Sequence, residues 1–248
     1  MRIAVAGGTG VVGRHVVDAL DRAGHEVAVL TRGRGVDVAT GDGLDAALDG
    51  VEAVVDTLNL MNLREKAVTE FFTTTSRHLL EAGRRAGVGH HVLLSIVGVD
   101  RAPGYGYYRA KLAQEAVVRS GDVPWSVVRA TQFHEFPGQV LGAIPGPVGI
   151  VPRMRCRPVA AAEVGDYLAE VAAGPAMGWA PEIAGPREEQ LVDMAHRLLR
   201  AQGRRRWVLP VDFPGTGRDF RGGAMLPDGE ARCGVVTFDE WLADVTVP

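Results

Sequence analysis

Ser95, Tyr107 and Lys111 have the types and spacing of a proton-transfer centre. Ser95 ends an apolar run, and Tyr107 and Lys111 stand four residues apart, on one face if their segment is helical. A phenol so placed gives or takes a proton, and a nearby ammonium lowers its pKa and can hold a sugar hydroxyl. A serine hydroxyl can polarise a carbonyl. Lys66 and Lys111 are the only lysines among 27 lysines and arginines. The bias reflects composition, yet a compact ammonium at Lys111 is not replaceable by a planar guanidinium. Tyr108 leaves the choice of phenol open, because adjacent helical residues face about 100° apart. The plainer alternative is that Tyr107 packs in a cleft and Ser95 bonds a loop.

A second constellation lies at the start. The apolar run Ile3-Ala4-Val5-Ala6 is followed by Gly7-Gly8-Thr9-Gly10-Val11-Val12-Gly13 and then by a helical pattern. Glycine at Gly7 permits a tight turn, at Gly10 it lets backbone approach a pyrophosphate, and at Gly13 it lets helix and strand pack closely. Free N–H groups and the helix dipole then favour phosphate. Strand before and helix after make this a dinucleotide signature; the alternative is a glycine-rich turn with no ligand. The second strand ends in Leu30-Thr31-Arg32-Gly33-Arg34, with no carboxylate for a ribose 2′-hydroxyl. Guanidinium suits a 2′-phosphate, so NADP(H) is preferred over NAD(H), unless both arginines are solvated loop charges. Asp42 either reaches the adenine edge or caps the next helix.

These residues need a parallel sheet to position them. Short strands are expected at 3–6, 26–30, 36–39, 52–57, 91–95 and 125–129. Helices are expected over 11–23, 64–85 and 107–119. Beyond Thr131, Pro137, Pro145, Pro147, Pro152 and Pro158 punctuate a glycine-rich stretch read as loop with one short helix. Helices at 161–173 and 188–201 follow, with a strand near 181–184. The fold class is therefore α/β, a Rossmann-like doubly wound parallel sheet with helices on both faces and a small C-terminal substrate-binding cap. One domain over 1–248 is expected, with residues 1–135 as cofactor core and 136–248 as cleft and cap.

An apolar fraction of 46%, a charged fraction of 23% and a net charge of -3 describe an ordinary globular chain, and no nucleic-acid partner is expected. Cys156 and Cys233 fit no metal or redox spacing and read as free thiols in a reducing, cytoplasmic compartment. No run is long enough to span a bilayer, and the apolar start breaks too early for a signal peptide, so no membrane partner is expected. No histidine pair has zinc spacing, so no metal is expected. His134 and Phe136, beside Phe133 and Glu135, are candidates for a substrate cleft. Arg204-Arg205-Arg206 reads as an anion patch or, better, a solvated turn before Trp207-Val208-Leu209. The aromatic and proline content of the last third suits a small apolar or aromatic substrate, and the chain is expected as monomer or homodimer.

The glycine turn, Ser95-Ile96-Val97-Gly98, Tyr107-Tyr108-Arg109-Ala110-Lys111-Leu112 and Trp125-Ser126-Val127-Val128-Arg129-Ala130-Thr131-Gln132-Phe133 together resemble the short-chain dehydrogenase/reductase superfamily. Within it they are most similar to the atypical NmrA-like and NAD(P)H quinone-reductase-like branch. The resemblance covers about the first 135 residues. It implies that Thr9, Gly10, Val11, Val12, Arg32, Thr57, Leu58, Lys111, Ala130, Thr131, Gln132 and Phe133 line the cofactor, with Tyr107 at the family's catalytic position. An NADPH-dependent oxidoreductase is expected, passing hydride to a small carbonyl, quinone or activated double bond. The same branch holds sensors that bind the dinucleotide without turnover, and an epimerase or dehydratase is a third reading.

Overall fold

β-branched runs alternating with amphipathic stretches leave the first half little choice but parallel strands joined by helices. The computed structural model describes residues 1–62 and 64–245. In chain order it has β1 (Arg2–Ala6), α1 (Gly13–Arg22), β2 (Glu26–Leu30), α2 (Leu44–Ala47), β3 (Ala53–Asp56), α3 (Glu65–Ala86), β4 (His90–Ile96), α4 (Gly106–Arg119) and β5 (Trp125–Ala130). Then follow α5 (Phe136–Ala143), β6 (Val148–Pro152), β7 (Arg155–Cys156), α6 (Ala161–Ala173), β8 (Gly178–Trp179), β9 (Ile183–Ala184) and β10 (Glu189–Gln190). The chain continues through α7 (Leu191–Ala201), β11 (Trp207–Val211), α8 (Gly217–Gly222), β12 (Arg232–Cys233) and α9 (Phe238–Val245).

The chain divides into two units that interleave in sequence. The first comprises Met1–Ser95, Gly106–Arg129 and Ala162–Pro181; the second comprises Ile96–Tyr105, Ala130–Ala161 and Glu182–Pro248. In the first, strands lie in the order β5-β4-β3-β1-β2, with β8 beside β5. β1 runs parallel to both β2 and β3, and β3 parallel to β4. This is the Rossmann-like parallel sheet expected. Its core holds Leu30, Val54, Leu79, Leu93 and Val127. α3 and α4 pack side by side, and α1 meets α6 where Gly165 lies against His15.

In the second unit β9 pairs with β12, β11 with β6 in parallel, and β10 with β7 antiparallel. No helix among the described residues is long and apolar enough to cross a membrane.

Two local expectations change. Residues 36–39 form no strand. Asp37 bridges to Asp42 across a loop, while Val36 and Val38 drop into the core beside Leu44 and Leu48, so alternate burial mimics strand periodicity. The stretch after Thr131 is more ordered than its prolines suggest. Pro137 occupies the first turn of α5, where its missing N–H has no partner to lose, and Pro152 ends β6.

The first unit fastens α4 to the sheet through one carboxylate. Buried Glu115 accepts Arg129 Nε at 3.0 Å and Nη2 at 2.8 Å from β5, and the Ser95 hydroxyl at 2.6 Å from β4. Arg129 also stacks 4.8 Å over the Trp179 ring. Removing one partner of such a pair strands the other charge. We expect Glu115→Ala to lower unfolding stability by about 3 kcal/mol in denaturant titrations, whereas a loss of a few tenths would show the pair to be dispensable.

Candidate functional site

The glycine turn joins β1 to α1 with no room for side chains where it bends. Gly7 takes a φ of +81°, and a Cβ there would lie 2.9 Å from the Thr57 backbone. At Gly13 a Cβ would fall 2.1 Å from the Gly7 carbonyl oxygen. Gly10 N donates to that same oxygen at 2.8 Å. Thr9, Gly10 and Val11 form an exposed crest, Val12 and Gly13 are buried, and the amides of Val11 and Val12 donate to no backbone carbonyl among the described residues. Spare N–H groups at a helix start, under a crest that backbone alone can approach, fit a dinucleotide pyrophosphate. The residues present suit the group that the sequence implied.

The end of β3 lies directly against this turn. Thr57 Oγ1 donates to Ala6 O at 2.9 Å, and Leu58 N donates to Asp56 Oδ1 at 3.0 Å. One residue further, Asn59 Oδ1 accepts the Tyr107 hydroxyl at 2.8 Å. Tyr107 is half-buried with its ring edge-on to Phe72, whereas the neighbouring Tyr108 is buried. The helical rotation thus leaves Tyr107 as the phenol at the carboxyl edge of β3. Thr57, Leu58 and Tyr107 are brought to one edge with the glycine turn.

Lys111 and Ser95 are placed differently from the expected division of labour. Lys111 is buried in the first unit, where Nζ donates to Leu94 O at 2.9 Å and to Gln114 Oε1 at 2.6 Å and sits 4.8 Å over the Phe72 ring. The Gln114 amide continues the chain, donating to Asp56 Oδ2 at 3.1 Å and Ser76 Oγ at 3.0 Å; Ser76 donates to the same Asp56 oxygen at 3.2 Å. Ser95 is buried too, and its only proton goes to Glu115. Ser95 spends its one hydroxyl proton internally and Lys111 two of its three N–H donors, because burial obliges each polar group to find an internal partner. The Ser95–Glu115 and Lys111–Leu94 bonds both hold α4 in place.

Arg32 and Arg34 lie in an exposed 3₁₀ turn after β2 and form no ion pair among the described residues. Asp42 is exposed, accepts the Thr40 hydroxyl at 2.8 Å and does not cap α2, whose N-cap is Gly43.

The remaining candidates belong to the second unit. Thr131 Oγ1 donates to Arg157 O at 2.6 Å, and its amide donates to Ile183 O. Ala130 is buried against Ile183, and Phe133 is half-buried in a bridge with Val159. The Gln132 side chain is only 8% exposed, yet its Nε2 and Oε1 have no hydrogen-bond partner among the described residues. His134 has no exposed surface. Its Nε2 bonds Val236 O at 3.0 Å, and the ring rests on Phe238 and Trp241. From that enclosed position it anchors the C-terminal stretch. Phe136, half-buried, opens α5.

Sequence reasoning missed Asn59, Asp56, Ser76, Gln114 and Glu115. For two of them a signal existed: Gln114 and Glu115 stand three and four residues after Lys111, polar neighbours on its own helix face. No group of histidine, cysteine, aspartate and glutamate among the described residues could hold a metal.

Burial pushes the Lys111 ammonium down from 10.5 to about 8, against the opposing pull of Asp56 and Glu115. Between those values the unfolded chain carries a proton that the folded one lacks. Wild-type stability therefore gains as pH rises through the window, and the gain is absent below about pH 8. We expect the stability of wild type relative to Lys111→Met to grow by about 3 kcal/mol from pH 8 to 10.5 in denaturant titrations. A pH-independent difference would mean that Lys111 titrates as an exposed lysine.

The chain matches the model of an NAD(P)H-binding family over residues 7–175. A curated relative, a 3-diazoavenalumate denitrifying reductase from a Streptomyces species, is 38% identical over 115 residues, covering 39% of this chain and 38% of the relative. The match thus spans little more than a third of that protein. A similar solved structure is an NADPH-dependent quinone oxidoreductase from Escherichia coli complexed with NADPH. It has a TM-score of 0.71 and 17% identity, with 99% of this chain and 100% of that one covered. A short-chain dehydrogenase/reductase superfamily protein from Agrobacterium tumefaciens with bound NAD has a TM-score of 0.68 and 21% identity, covering 99% and 96%. With the glycine turn, the parallel sheet and the family match in agreement, the chain belongs to the NAD(P)H-binding family.

Proposed function

We propose that this protein is an NADPH-dependent reductase that reduces a small carbonyl, quinone or activated double bond. The observation that carries this reading is the Tyr107 phenol, held by Asn59 three residues beyond the end of β3, which abuts the glycine turn. The nicotinamide, when bound, supplies hydride. This chain's own residues do the rest. The turn from Gly7 to Gly13 holds the pyrophosphate, Thr57 and Leu58 flank the adenosine, and Arg32 takes the 2′-phosphate. Tyr107 gives the proton that the reduced oxygen or carbon requires. Lys111 and Ser95 act through α4, whose position sets that of Tyr107. Ala130, Thr131, Gln132 and Phe133 belong to the cofactor-lining set, and the substrate-selecting residues, Phe136 among them, to the stretch 136–248. The reductase named among the relatives and the NADPH-bound quinone oxidoreductase support the choice of chemistry.

A second reading is a non-catalytic NAD(P)-binding sensor, favoured by the internal engagement of the Ser95 proton and the Lys111 ammonium. One titration separates the two. Purified protein is titrated with NADPH and NADH by fluorescence, then given a simple quinone. The reductase reading expects NADPH to bind more tightly and to be oxidised only with quinone present. Arg32→Asp should weaken NADPH by about tenfold and leave NADH nearly unchanged. Tyr107→Phe should lower turnover by about a hundredfold with cofactor affinity retained. Tight binding without oxidation across a broad panel of acceptors would transfer the assignment to the sensor.

A further inference from the structure

Parallel strands are ordinarily covered on both faces, and a two-stranded ribbon has little stability of its own. β6 and β11 form such a ribbon in the second unit, with Trp207 opposite Val148, Leu209 opposite Ile150 and Val211 opposite Pro152. Its inner row, which includes Gly149 and Val151, packs on α5 and α7. Its outer row is bare. Trp207 is 80% exposed, Leu209 51% and Val148 41%, Ile150 is half-buried between them, and no polar residue interrupts the row. Ile144, 45% exposed, extends the patch from the end of α5. This is an ordered face: Arg206 spreads its guanidinium over the carbonyls of Leu141, Ile144 and Val148, fixing the loop between α5 and β6.

Charge at the ends of the ribbon narrows what can cover it. Arg204 and Arg205 precede Trp207, are exposed, and form no ion pair among the described residues. At the far end Arg153 and Arg221 share one carboxylate, Asp212, at 3.7 and 3.4 Å. The ribbon is thus bounded by arginine in a chain whose net charge is -3. A second copy using the same face would set like charge against like. An exposed indole in a flat apolar row with arginines beside it suits the boundary between water and an anionic bilayer, where indole and guanidinium both find their preferred depth.

We propose that the outer face of the β6–β11 ribbon rests on an anionic lipid surface, with Trp207 and Leu209 inserted at the headgroup level and Arg204 and Arg205 on lipid phosphates. The chain does not span the bilayer; it touches it.

The test is co-sedimentation of the full chain with phosphatidylcholine vesicles, with and without about one-third phosphatidylglycerol. Binding to the anionic vesicles, weakened by salt, is expected, with little binding to the neutral ones. Trp207→Ser with Leu209→Ser should reduce that binding at least tenfold. Arg204→Gln and Arg205→Gln should each reduce it about fivefold. Thermal melts confirm that the variants fold. No binding of wild type to anionic vesicles would overturn the proposal, as would undiminished binding by the serine double variant. A wild-type dimer that the same substitutions dissociate in sedimentation velocity would assign the face to self-association and overturn it equally.

Discussion

An ammonium taken out of water has to be compensated where it lies, and in this chain that requirement governs α4. Lys111 meets it with the Leu94 carbonyl and the Gln114 amide, which passes the demand on to Ser76 and Asp56. One turn along, Glu115 gathers Ser95 and Arg129. α4 is consequently tied to β3, β4 and β5 by polar groups that cannot be exchanged singly, since each would leave a neighbour unpaired. Tyr107 stands one turn before Lys111 on that helix, and its place beside Asn59 follows from those ties.

The dinucleotide cradle rests on sterics. The turn can hug the end of β3 because Gly7 has no side chain to drive into Thr57, and α1 can start where it does because Gly13 has none to drive into Gly7. At the start of α1 the amides of Val11 and Val12 are left with no backbone acceptor among the described residues. On the next loop Arg32 and Arg34 keep their guanidinium groups exposed in a short 3₁₀ turn, clear of the sheet.

The second unit follows a different economy. His134 and Gln132 are neighbours but one, yet His134 is locked to Val236 while the Gln132 amide is enclosed with no hydrogen-bond partner among the described residues. An amide buried in that condition carries a desolvation penalty of about 1–3 kcal/mol that a ligand or an ordered water would relieve. The β6–β11 ribbon shows the apolar counterpart, a row of side chains left uncovered by the fold that made it.

Local chemistry alone determined much of this. Periodicities of two and 3.6 located five of the six strands of the first sheet and the helices α1, α3 and α4, and glycine spacing marked the phosphate turn, because each depends on residues close in the chain. The same locality explains the false strand at 36–39, where two valines buried from a loop alternate as strand residues do. The candidate trio of Ser95, Tyr107 and Lys111 was visible as types and spacing, but what each side chain touches was not. Asp56 meets Gln114 across 58 positions, His134 meets Val236 across 102, and Trp207 faces Val148 only through strand pairing. Those choices belong to the tertiary structure, because burial decides which polar groups must pair and which apolar ones stay in water, and burial is a property of segments brought together from far apart.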